Sequence, residues 1–240
     1  MATVNKKSDV LIIIPAYNEA ENIENIVDEI TTGYPQYDYV VVNDGSSDAT
    51  SRILKKRGYN HINCPINLGI GGAIQTGYRY AREKDYEIAV QIDGDGQHDP
   101  AYIKDIITPI REGEADYVIG SRFVNKEGFQ SSATRRIGIK FLSGLITVLC
   151  LRRVKDVTSG FRAVNKFFID VFSENYPIDY PEPEAILDAV MRRKRILELP
   201  VIMRERETGK SSINFRRSIY YMIKVTLDII VCRISYGIRR

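Results

Sequence analysis

Short runs of apolar residues, most of them β-branched, recur through the first half of the chain. They span Val10–Ile14, Tyr39–Val42, Ile88–Ile92 and Tyr117–Ile119. Segments with helical periodicity lie between and around them, over 19–31, 48–57, 70–84 and 100–111. Continuous apolar strands that alternate with helices are typical of a parallel sheet covered on both faces. We therefore predict an α/β fold with an open, mostly parallel, Rossmann-like sheet flanked by helices.

The composition indicates a folded protein with one domain, or one domain and an appendage. Apolar residues make up 44% of the 240 residues and charged residues 27%, close to the average for globular proteins. The three cysteines are far apart in sequence, so neither a disulfide framework nor a zinc knuckle is indicated. With no apolar secretory segment after Met1, we expect a cytoplasmic location.

Two apolar segments with basic residues near their ends, 135–153 and 215–240, predict amphipathic helices. Lys140 interrupts the first segment, and Lys224 and Asp228 interrupt the second, so neither fits a membrane span. We expect a domain of residues 1–214, a basic C-terminal helix over 215–240, and peripheral attachment to the inner face of the cell membrane. Packing of either helix on the protein's own core is the open alternative.

The segment Asp93–Gln97, Asp-Gly-Asp-Gly-Gln, directly follows an apolar strand. Two carboxylates one residue apart at a strand end can both reach a hard divalent cation, whose other positions go to substrate phosphates. Asp93 and Asp95 are therefore candidate ligands for Mg²⁺ or Mn²⁺, with an acidic turn that holds no metal as the alternative. An EF-hand is excluded, because His98 stands where that loop needs glycine and Lys104 where it needs glutamate.

A glycine-rich segment, Asn67–Ala73, leads into a predicted helix. Gly69 and Gly71 are candidates for cradling a phosphate at the helix N-terminus. The segment is not the dinucleotide fingerprint, since Ile74 stands where the third glycine is needed, and a nucleotide-dependent oxidoreductase is therefore disfavoured. A P-loop ending at Lys210 is excluded in the same way by Arg204.

Three basic residues in turn-like segments, Arg122, Arg206 and Lys210, are candidate phosphate ligands. Nucleic acid is not an expected partner, because the net charge is only +3 and no DNA- or RNA-binding signature is present. Glu182 and Glu184 lie in a proline-stiffened turn before a predicted helix. They are candidate general bases or, alternatively, helix-capping residues.

Six motifs occur in the order seen in family 2 glycosyltransferases, and most resemble those of the dolichol- or polyprenyl-phosphate sugar transferases. They are Ile14–Glu19 (IPAYNE), Val42–Ser46 (VNDGS), Asn67–Gly71 (NLGIG), Asp93–Gln97 (DGDGQ), Gly120–Arg122 (GSR) and Gly209–Ser212 (GKSS). The resemblance implies a GT-A fold that binds a nucleotide diphosphate sugar at the strand ends. It also implies inversion at the anomeric carbon.

The resemblance further implies a role for each matching residue. The nucleoside would contact Pro15, Tyr17, Glu19 and Asp44. The cation on the diphosphate would be held by Asp93, Asp95 and, as a third ligand, Gln97. Arg122 would face a phosphate in or near the acceptor site. A late basic segment that closes over the diphosphate would include Arg206, Lys210 and Ser211.

The acceptor decides whether the reaction needs a base. A lipid phosphate is already anionic, whereas a sugar hydroxyl needs a base, for which Glu184 or else Glu182 is the candidate. We expect transfer from a UDP-linked sugar to a polyprenyl phosphate, with a small integral membrane protein as a candidate partner in membrane attachment. Extension of a cell-surface polysaccharide is the alternative reaction. A non-catalytic membrane scaffold is the alternative of a different class.

Overall fold

The structure is a computed structural model that describes residues 8–125, 127–128, 133–150, 152–178, 181–205, 224–227 and 230–231. Within this part of the chain, seven strands form one sheet with helices on both faces. The strands are β1 (Val10–Ala16), β2 (Asp38–Asn43), β3 (His61–Asn63), β4 (Ile88–Gln91), β5 (Tyr117–Ser121), β6 (Arg162–Asn165) and β7 (Ile196–Pro200). The helices are α1 (Ile23–Gly33), α2 (Thr50–Arg57), α3 (Gly69–Glu83), α4 (Ile103–Arg111), α5 (Ala133–Cys150), α6 (Lys166–Glu174) and α7 (Pro181–Met191).

The strand order is β3-β2-β1-β4-β6-β5-β7. Neighbouring strands are parallel except at β6, which runs antiparallel to both β4 and β5. The predicted mixed α/β fold with a mostly parallel sheet is thus confirmed. Because β1, β2 and β4 are parallel, their carboxyl ends lie at the same edge of the sheet, where open α/β folds bind ligands.

The position of β1 inside the sheet explains why its sequence is continuously apolar rather than alternating. All seven of its residues are buried. Leu11 and Ile13 contribute to the core on one face of the sheet, with α3, α6 and α7, while Ile12 and Ile14 contribute to the core on the other, with α1 and α4. Helices therefore shield both faces of β1 from water.

Helices α1 and α4 begin four and three residues later than the periodicity indicated, and α2 begins two residues later. Asn18 adopts a left-handed backbone with φ of 57°, and the Ile23 N–H donates to the Glu19 carbonyl at 2.8 Å, so a turn precedes α1. Residues Pro100–Tyr102 form a tighter 3-10 turn before α4, with the Asp99 carboxylate accepting the Ala101 N–H.

The apolar segment 135–153 lies mostly within α5. One face of this helix is buried in the core through Ile139, Leu142 and Ile146, whereas Ile137 and Phe141 are exposed on the other face. In the described part of the chain, no helix combines the length and apolar character needed to cross a bilayer. Most of 215–240 and the predicted domain boundary at 214 lie outside the described residues.

Candidate active site

The carboxyl ends of β1, β2 and β4 are packed against one another. The Asp44 N–H, just after β2, donates to the Ala16 carbonyl at the end of β1 at 2.9 Å. On the other side of β1, a Cβ added to Gly94 would lie 2.9 Å from the Pro15 carbonyl oxygen. The structure thus brings the predicted nucleoside-binding and metal-binding segments together at one edge of the sheet.

Asp44 is buried at the end of β2 and fixes the loop that leads into α3. Its Oδ1 accepts the Leu68 N–H at 2.7 Å. Gly45 has φ of 66°, and a Cβ there would lie 2.7 Å from the backbone of Ile66 and of Asn67. A carboxylate has lone pairs beyond the one that Leu68 uses, so Asp44 retains the capacity to accept a ligand hydrogen bond.

The loop that carries Tyr17 and Glu19 is held by a network of side chains. Asn18 Oδ1 accepts the Ser47 N–H at 2.8 Å, and the Glu19 N–H donates to Thr50 Oγ1 at 3.0 Å. Asp48 accepts the backbone N–H groups of Ala20 and Thr50 at 3.1 and 2.9 Å. The position of the half-exposed Tyr17 ring therefore depends on the start of α2 as well as on β1.

The Asp48 carboxyl in this network has a perturbed pKa. Partial desolvation tends to raise the pKa of Asp48, but hydrogen bonds from the hydroxyl and N–H of Thr50 and from the Ala20 N–H outweigh it. The net result is a pKa below the ordinary value of an aspartate. The network is therefore strongest when Asp48 is ionised.

His98 holds Asp93 through two contacts. The Asp93 N–H donates to His98 Nδ1 at 3.0 Å, and His98 Nε2 lies 3.7 Å from Asp93 Oδ2. Because Nδ1 accepts this hydrogen bond, the neutral tautomer carries its proton on Nε2. The ring is buried and stacks on Phe161 with a centroid distance of 5.2 Å.

Two further residues contact the Asp93 carboxylate. Gln91 Nε2 donates a long hydrogen bond of 3.5 Å to Oδ1. Gly160, just before β6, lies so close that an added Cβ would be 2.7 Å from Oδ2. Gln91, His98 and Gly160 lie outside the sequence motifs and were not predicted as site residues. His98 adjoins the motif and could have been suspected, whereas no local signal connects Gly160 with Asp93.

The donor set fits a divalent cation shared with a diphosphate. Asp95 Oδ1 accepts the Gln97 N–H at 3.1 Å, which holds the acidic turn closed. Among the described residues, no group of three or more His, Cys, Asp or Glu is placed to hold a metal ion. Mg²⁺ and Mn²⁺ usually take one or two carboxylates and complete their coordination with phosphates and water. Asp93, Asp95 and the Gln97 amide supply such a partial set.

Gly71, predicted to cradle a phosphate, allows the backbone of residues 177–178 to pack closely against α3. Its N–H donates to the Ile178 carbonyl at 3.0 Å, and an added Cβ would lie 2.0 Å from the Pro177 carbonyl oxygen. Gly69 precedes it in a left-handed turn with φ of 80°. The segment before α7 is thereby brought against the first turn of α3, and phosphate binding by the glycine pair stays a prediction.

Arg122 lies in a buried ion pair at the end of β5. Its Nε and Nη2 donate to the two carboxylate oxygens of Asp156 at 2.8 and 2.7 Å, and Nη2 also reaches Thr158 Oγ1 at 3.0 Å. Asp156 is fully buried. A phosphate bound by Arg122, as the motif analysis predicts, would share this guanidinium with Asp156.

The first turn of α7 contains Glu182 and Glu184, so these residues are helical rather than in a turn that precedes the helix. The fully buried Arg162 on β6 donates from Nη1 to the Glu182 carbonyl at 3.1 Å, which attaches this turn to the sheet. Three predicted site residues lie outside the described residues: Arg206, Lys210 and Ser211.

Arg204 attaches the beginning of the late basic segment to the acidic turn predicted to bind the metal. Its N–H donates to the Gln97 carbonyl at 2.9 Å. Its guanidinium forms two hydrogen bonds with Glu29 on α1, at 2.7 and 2.8 Å. The described chain therefore lies beside the acidic turn at Arg204.

Comparison with known protein families identifies this arrangement. The sequence profile of glycosyl transferase family 2 matches residues 11–172, which run from the second residue of β1 into α6. The chain belongs to glycosyl transferase family 2. In this family 2 glycosyltransferase, the motifs predicted to bind the metal and the nucleoside lie within the matched region.

Three curated relatives of this glycosyltransferase align over at least four-fifths of both chains. The UDP-N-acetylglucosamine–dolichyl-phosphate N-acetylglucosaminyltransferase of Methanococcus voltae is 35% identical over 80% of this chain and 84% of its own length. The undecaprenyl-phosphate mannosyltransferase of Micrococcus luteus is 30% identical over 85% and 87%. The polyprenol monophosphomannose synthase of Mycolicibacterium smegmatis is 27% identical over 89% and 84%.

Solved structures show the same fold at lower sequence identity. The glucosyl-3-phosphoglycerate synthase of Mycobacterium tuberculosis in complex with uridine diphosphate has a TM-score of 0.70 and 18% identity, over 93% of this chain and 79% of that one. The same enzyme with Mn²⁺, uridine diphosphate and phosphoglyceric acid has a TM-score of 0.68. The family 2 glycosyltransferase therefore has the predicted GT-A fold.

Proposed function

We propose that this family 2 glycosyltransferase transfers a sugar from a nucleotide diphosphate sugar to a polyprenyl phosphate, with inversion at the anomeric carbon. The observation that carries the proposal is the shared acceptor class of its relatives. Three relatives that align over at least four-fifths of both chains are named for dolichyl phosphate, undecaprenyl phosphate or polyprenol.

The donor would bind where β1 and β2 end. Asp44 would accept hydrogen bonds from the nucleoside, and Pro15, Tyr17 and Glu19 would line its pocket. UDP is the proposed nucleotide, since one relative is named for a UDP-sugar and a solved structure of the same fold contains uridine diphosphate. The buried Asp44 contributes a fixed acceptor whose position is already set by Leu68.

Mg²⁺ or Mn²⁺ would be held by Asp93, Asp95 and Gln97. The bound cation would supply positive charge beside the diphosphate, where negative charge develops as the donor bond breaks. Solved structures of this fold contain Mn²⁺ together with uridine diphosphate. Further positive charge would come from Arg206 and Lys210, which would close over the diphosphate, and Ser211 would donate a hydrogen bond to it.

The displacement needs no strong base when the acceptor is a phosphate. An anionic phosphate oxygen attacks the anomeric carbon, the bond from that carbon to the donor phosphate oxygen breaks, and its electron pair stays on the nucleoside diphosphate. One displacement of this kind inverts the anomeric configuration. Arg122 would orient the acceptor phosphate while Asp156 fixes its guanidinium.

The outer face of α5 supports the proposal that the enzyme works at a membrane surface. Ile137, Phe141 and Val148 are 70%, 53% and 75% exposed and lie along one stripe of the helix. Arg136 and Lys140 are exposed on the same helix. Apolar side chains flanked by cations suit the boundary of an anionic leaflet. We infer peripheral attachment to the cytoplasmic face, with a small membrane protein as a candidate partner.

A transfer assay tests the proposed function. Radiolabelled UDP-, GDP- and dTDP-sugars are incubated with undecaprenyl phosphate in detergent, with Mn²⁺ or Mg²⁺ or with a chelator. The expected result is label in the organic phase that requires the metal, inversion in the product, and loss of product in Asp95→Asn. Product that forms equally in chelator would contradict the metal site.

Glu184→Gln separates the two acceptor classes. Transfer to a lipid phosphate should continue in this variant, because no proton has to be removed from the acceptor. Absence of labelled lipid, together with metal-dependent donor hydrolysis that Glu184→Gln abolishes, would favour the alternative reaction, polysaccharide extension with Glu184 as base. A chain with neither activity that still binds vesicles would favour the membrane scaffold.

A further inference from the structure

Three buried polar atoms of the described residues have no hydrogen-bond partner. They are Gln91 Oε1, Arg162 Nη2 and Tyr176 Oη. Buried polar groups are nearly always paired with protein or water, so each orphan needs an explanation. These atoms are an acceptor, a charged donor and a hydroxyl, which together can satisfy a bound water.

Gln91 and Arg162 lie opposite each other on the adjacent strands β4 and β6. They are register partners in the antiparallel pair of β4 and β6, so their side chains emerge on the same face of the sheet. The orientation of the Gln91 amide is set by Asp93, since the opposite flip would place two oxygens against each other. Nε2 therefore points to Asp93, and Oε1 is the atom left to interact elsewhere.

Arg162 is a permanent charge that is only 1% exposed. Its hydrogen bonds in the structure go to neutral acceptors: the Ser159 carbonyl at 2.6 Å, the Tyr117 hydroxyl and the Glu182 carbonyl at 3.1 Å. Nη2 remains as a donor without a partner, on the residue that pairs in register with Gln91. Burial of a guanidinium is costly, so its presence between the metal-binding strand and α7 calls for a role.

Tyr176 lies close to this guanidinium on the same face of the sheet. Its ring packs on Tyr78 and Phe172 at centroid distances of 5.4 and 5.0 Å. Burial raises the pKa of Tyr176 well above its usual value, so the hydroxyl keeps its proton. It can therefore both donate to and accept from a water.

We propose that Arg162 is a positioning residue that links the first turn of α7 to the metal-binding carboxylate Asp93. One arm of the guanidinium holds the Glu182 carbonyl. The other arm, Nη2, shares a buried water with Gln91 Oε1. This water holds the Gln91 amide, whose Nε2 donates to the Asp93 carboxylate. This inference rests on the proposed function, because it takes Asp93 to be a metal ligand.

The link makes a specific statement about metal binding. Residues that orient a metal ligand commonly change metal affinity by about 10- to 100-fold when they are removed. Without the Arg162 guanidinium, the Gln91 amide should lose its fixed orientation. Without the Gln91 amide, the Asp93 carboxylate should lose its fixed orientation in turn. Both changes act through one contact, so their effects on metal affinity should not add.

The experiment measures Mn²⁺ affinity by electron paramagnetic resonance of the full chain with uridine diphosphate present, because a diphosphate completes the proposed coordination, and without a sugar donor or acceptor. The variants are Gln91→Leu, Arg162→Lys and the double variant, with thermal unfolding to verify folding. Each single variant should bind Mn²⁺ about tenfold more weakly, and the double variant no more weakly than the worse single one. Arg195→Lys, which alters a guanidinium paired with Asp116 at the opposite end of β5, is the matched control and should bind as the wild type does.

Folded single variants that bind Mn²⁺ within about twofold of the wild type, or effects that add in the double variant, would overturn the link. A wild-type chain that does not bind Mn²⁺ would instead refute the proposed metal site. If Arg162→Lys does not fold, a wild-type crystal structure at atomic resolution decides. A water hydrogen-bonded to both Arg162 Nη2 and Gln91 Oε1 supports the proposal, and its absence there overturns it.

Discussion

At the scale of single residues, glycine at position 160 leaves the space that the Asp93 carboxylate occupies. The backbone of Gly160 lies against the Asp93 carboxylate, and an added Cβ would be 2.7 Å from Oδ2 and 2.9 Å from Oδ1. Non-bonded atoms do not approach so closely, so one group has to move. The carboxylate is the end of a flexible side chain and moves more easily than the backbone.

Gly160→Ala should therefore displace Asp93 while the fold survives. We expect metal-dependent transfer to fall by about tenfold or more, the effect of misplacing a metal ligand, with a small change in thermal unfolding. Gly33→Ala is the control, because nothing lies within 4 Å of a Cβ at that position. Wild-type activity in Gly160→Ala, measured at limiting Mn²⁺, would contradict the assigned contact.

Asp48 gives a pH-dependent prediction. Its pKa is lower in the folded protein than the value of about 3.9 in an unfolded chain. The stability that Asp48 contributes is therefore complete above that unfolded value and is lost as the pH falls through the lower folded one. Urea unfolding of the wild type and Asp48→Asn should show a stability difference that is constant near neutral pH and shrinks in acid. A stability difference that grows as the pH falls would contradict the lowered pKa of Asp48.

At the scale of elements, Arg122 and Asp156 connect the end of β5 to the loop before β6. Glu198 on β7 completes the connection, since its carboxylate accepts the backbone N–H groups of Lys155 and Asp156, both at 2.8 Å. Three separate segments thus meet at one buried ion pair. Removing one partner leaves the other as an unpaired buried charge.

Asp156→Ala should destabilise the protein by about 3–5 kcal/mol, the usual cost of breaking a buried pair from one side. Glu174→Ala, which removes an exposed partner of Arg82, is the control and should cost about 1 kcal/mol or less. Urea unfolding of both variants measures the difference. Equal losses in the two variants would argue against a structural role for the buried pair.

The elements also show how far sequence reasoning extends. The strands β1, β2, β4 and β5 were predictable because burial on both faces demands continuous apolar runs. Strand β6 begins with the buried Arg162 and is four residues long, so it carries no such run. The carboxylates of Asp44, Asp93 and Asp95 were found from local motifs. The contacts of Asp93 with Gly160 and Gln91 were not, because they depend on β6 lying beside β4.

At the scale of the whole molecule, α5 joins the core to an exposed apolar surface. Its inner residues pack with the cluster around β4, β5 and α7, and its outer stripe faces solvent. A helix packed on one side and apolar on the other can contact a bilayer without leaving the fold. The sheet and a membrane surface would then share this one helix.

The double variant Ile137→Glu, Phe141→Glu should weaken binding to vesicles that contain anionic lipid by at least about tenfold, since it removes two apolar contacts. Flotation measures the bound fraction. Leu197→Glu, at an exposed leucine on β7, is the matched control and should float as the wild type does. Unchanged flotation of the double variant would remove α5 from the membrane surface.

The antiparallel strand β6 also affects how the chain is made. Among the described strands, β5 pairs with β6 and β7, and both of these follow it in sequence. A ribosome therefore releases β5 well before either neighbour has been synthesised. The edge of β4 that pairs with β6 also stays unpaired until β6 has been synthesised. Until Arg162–Asn165 emerges, the nascent protein exposes two strands open to pairing with other chains. Slow translation between residues 121 and 162 would prolong that interval, and a holding chaperone would protect the product during it.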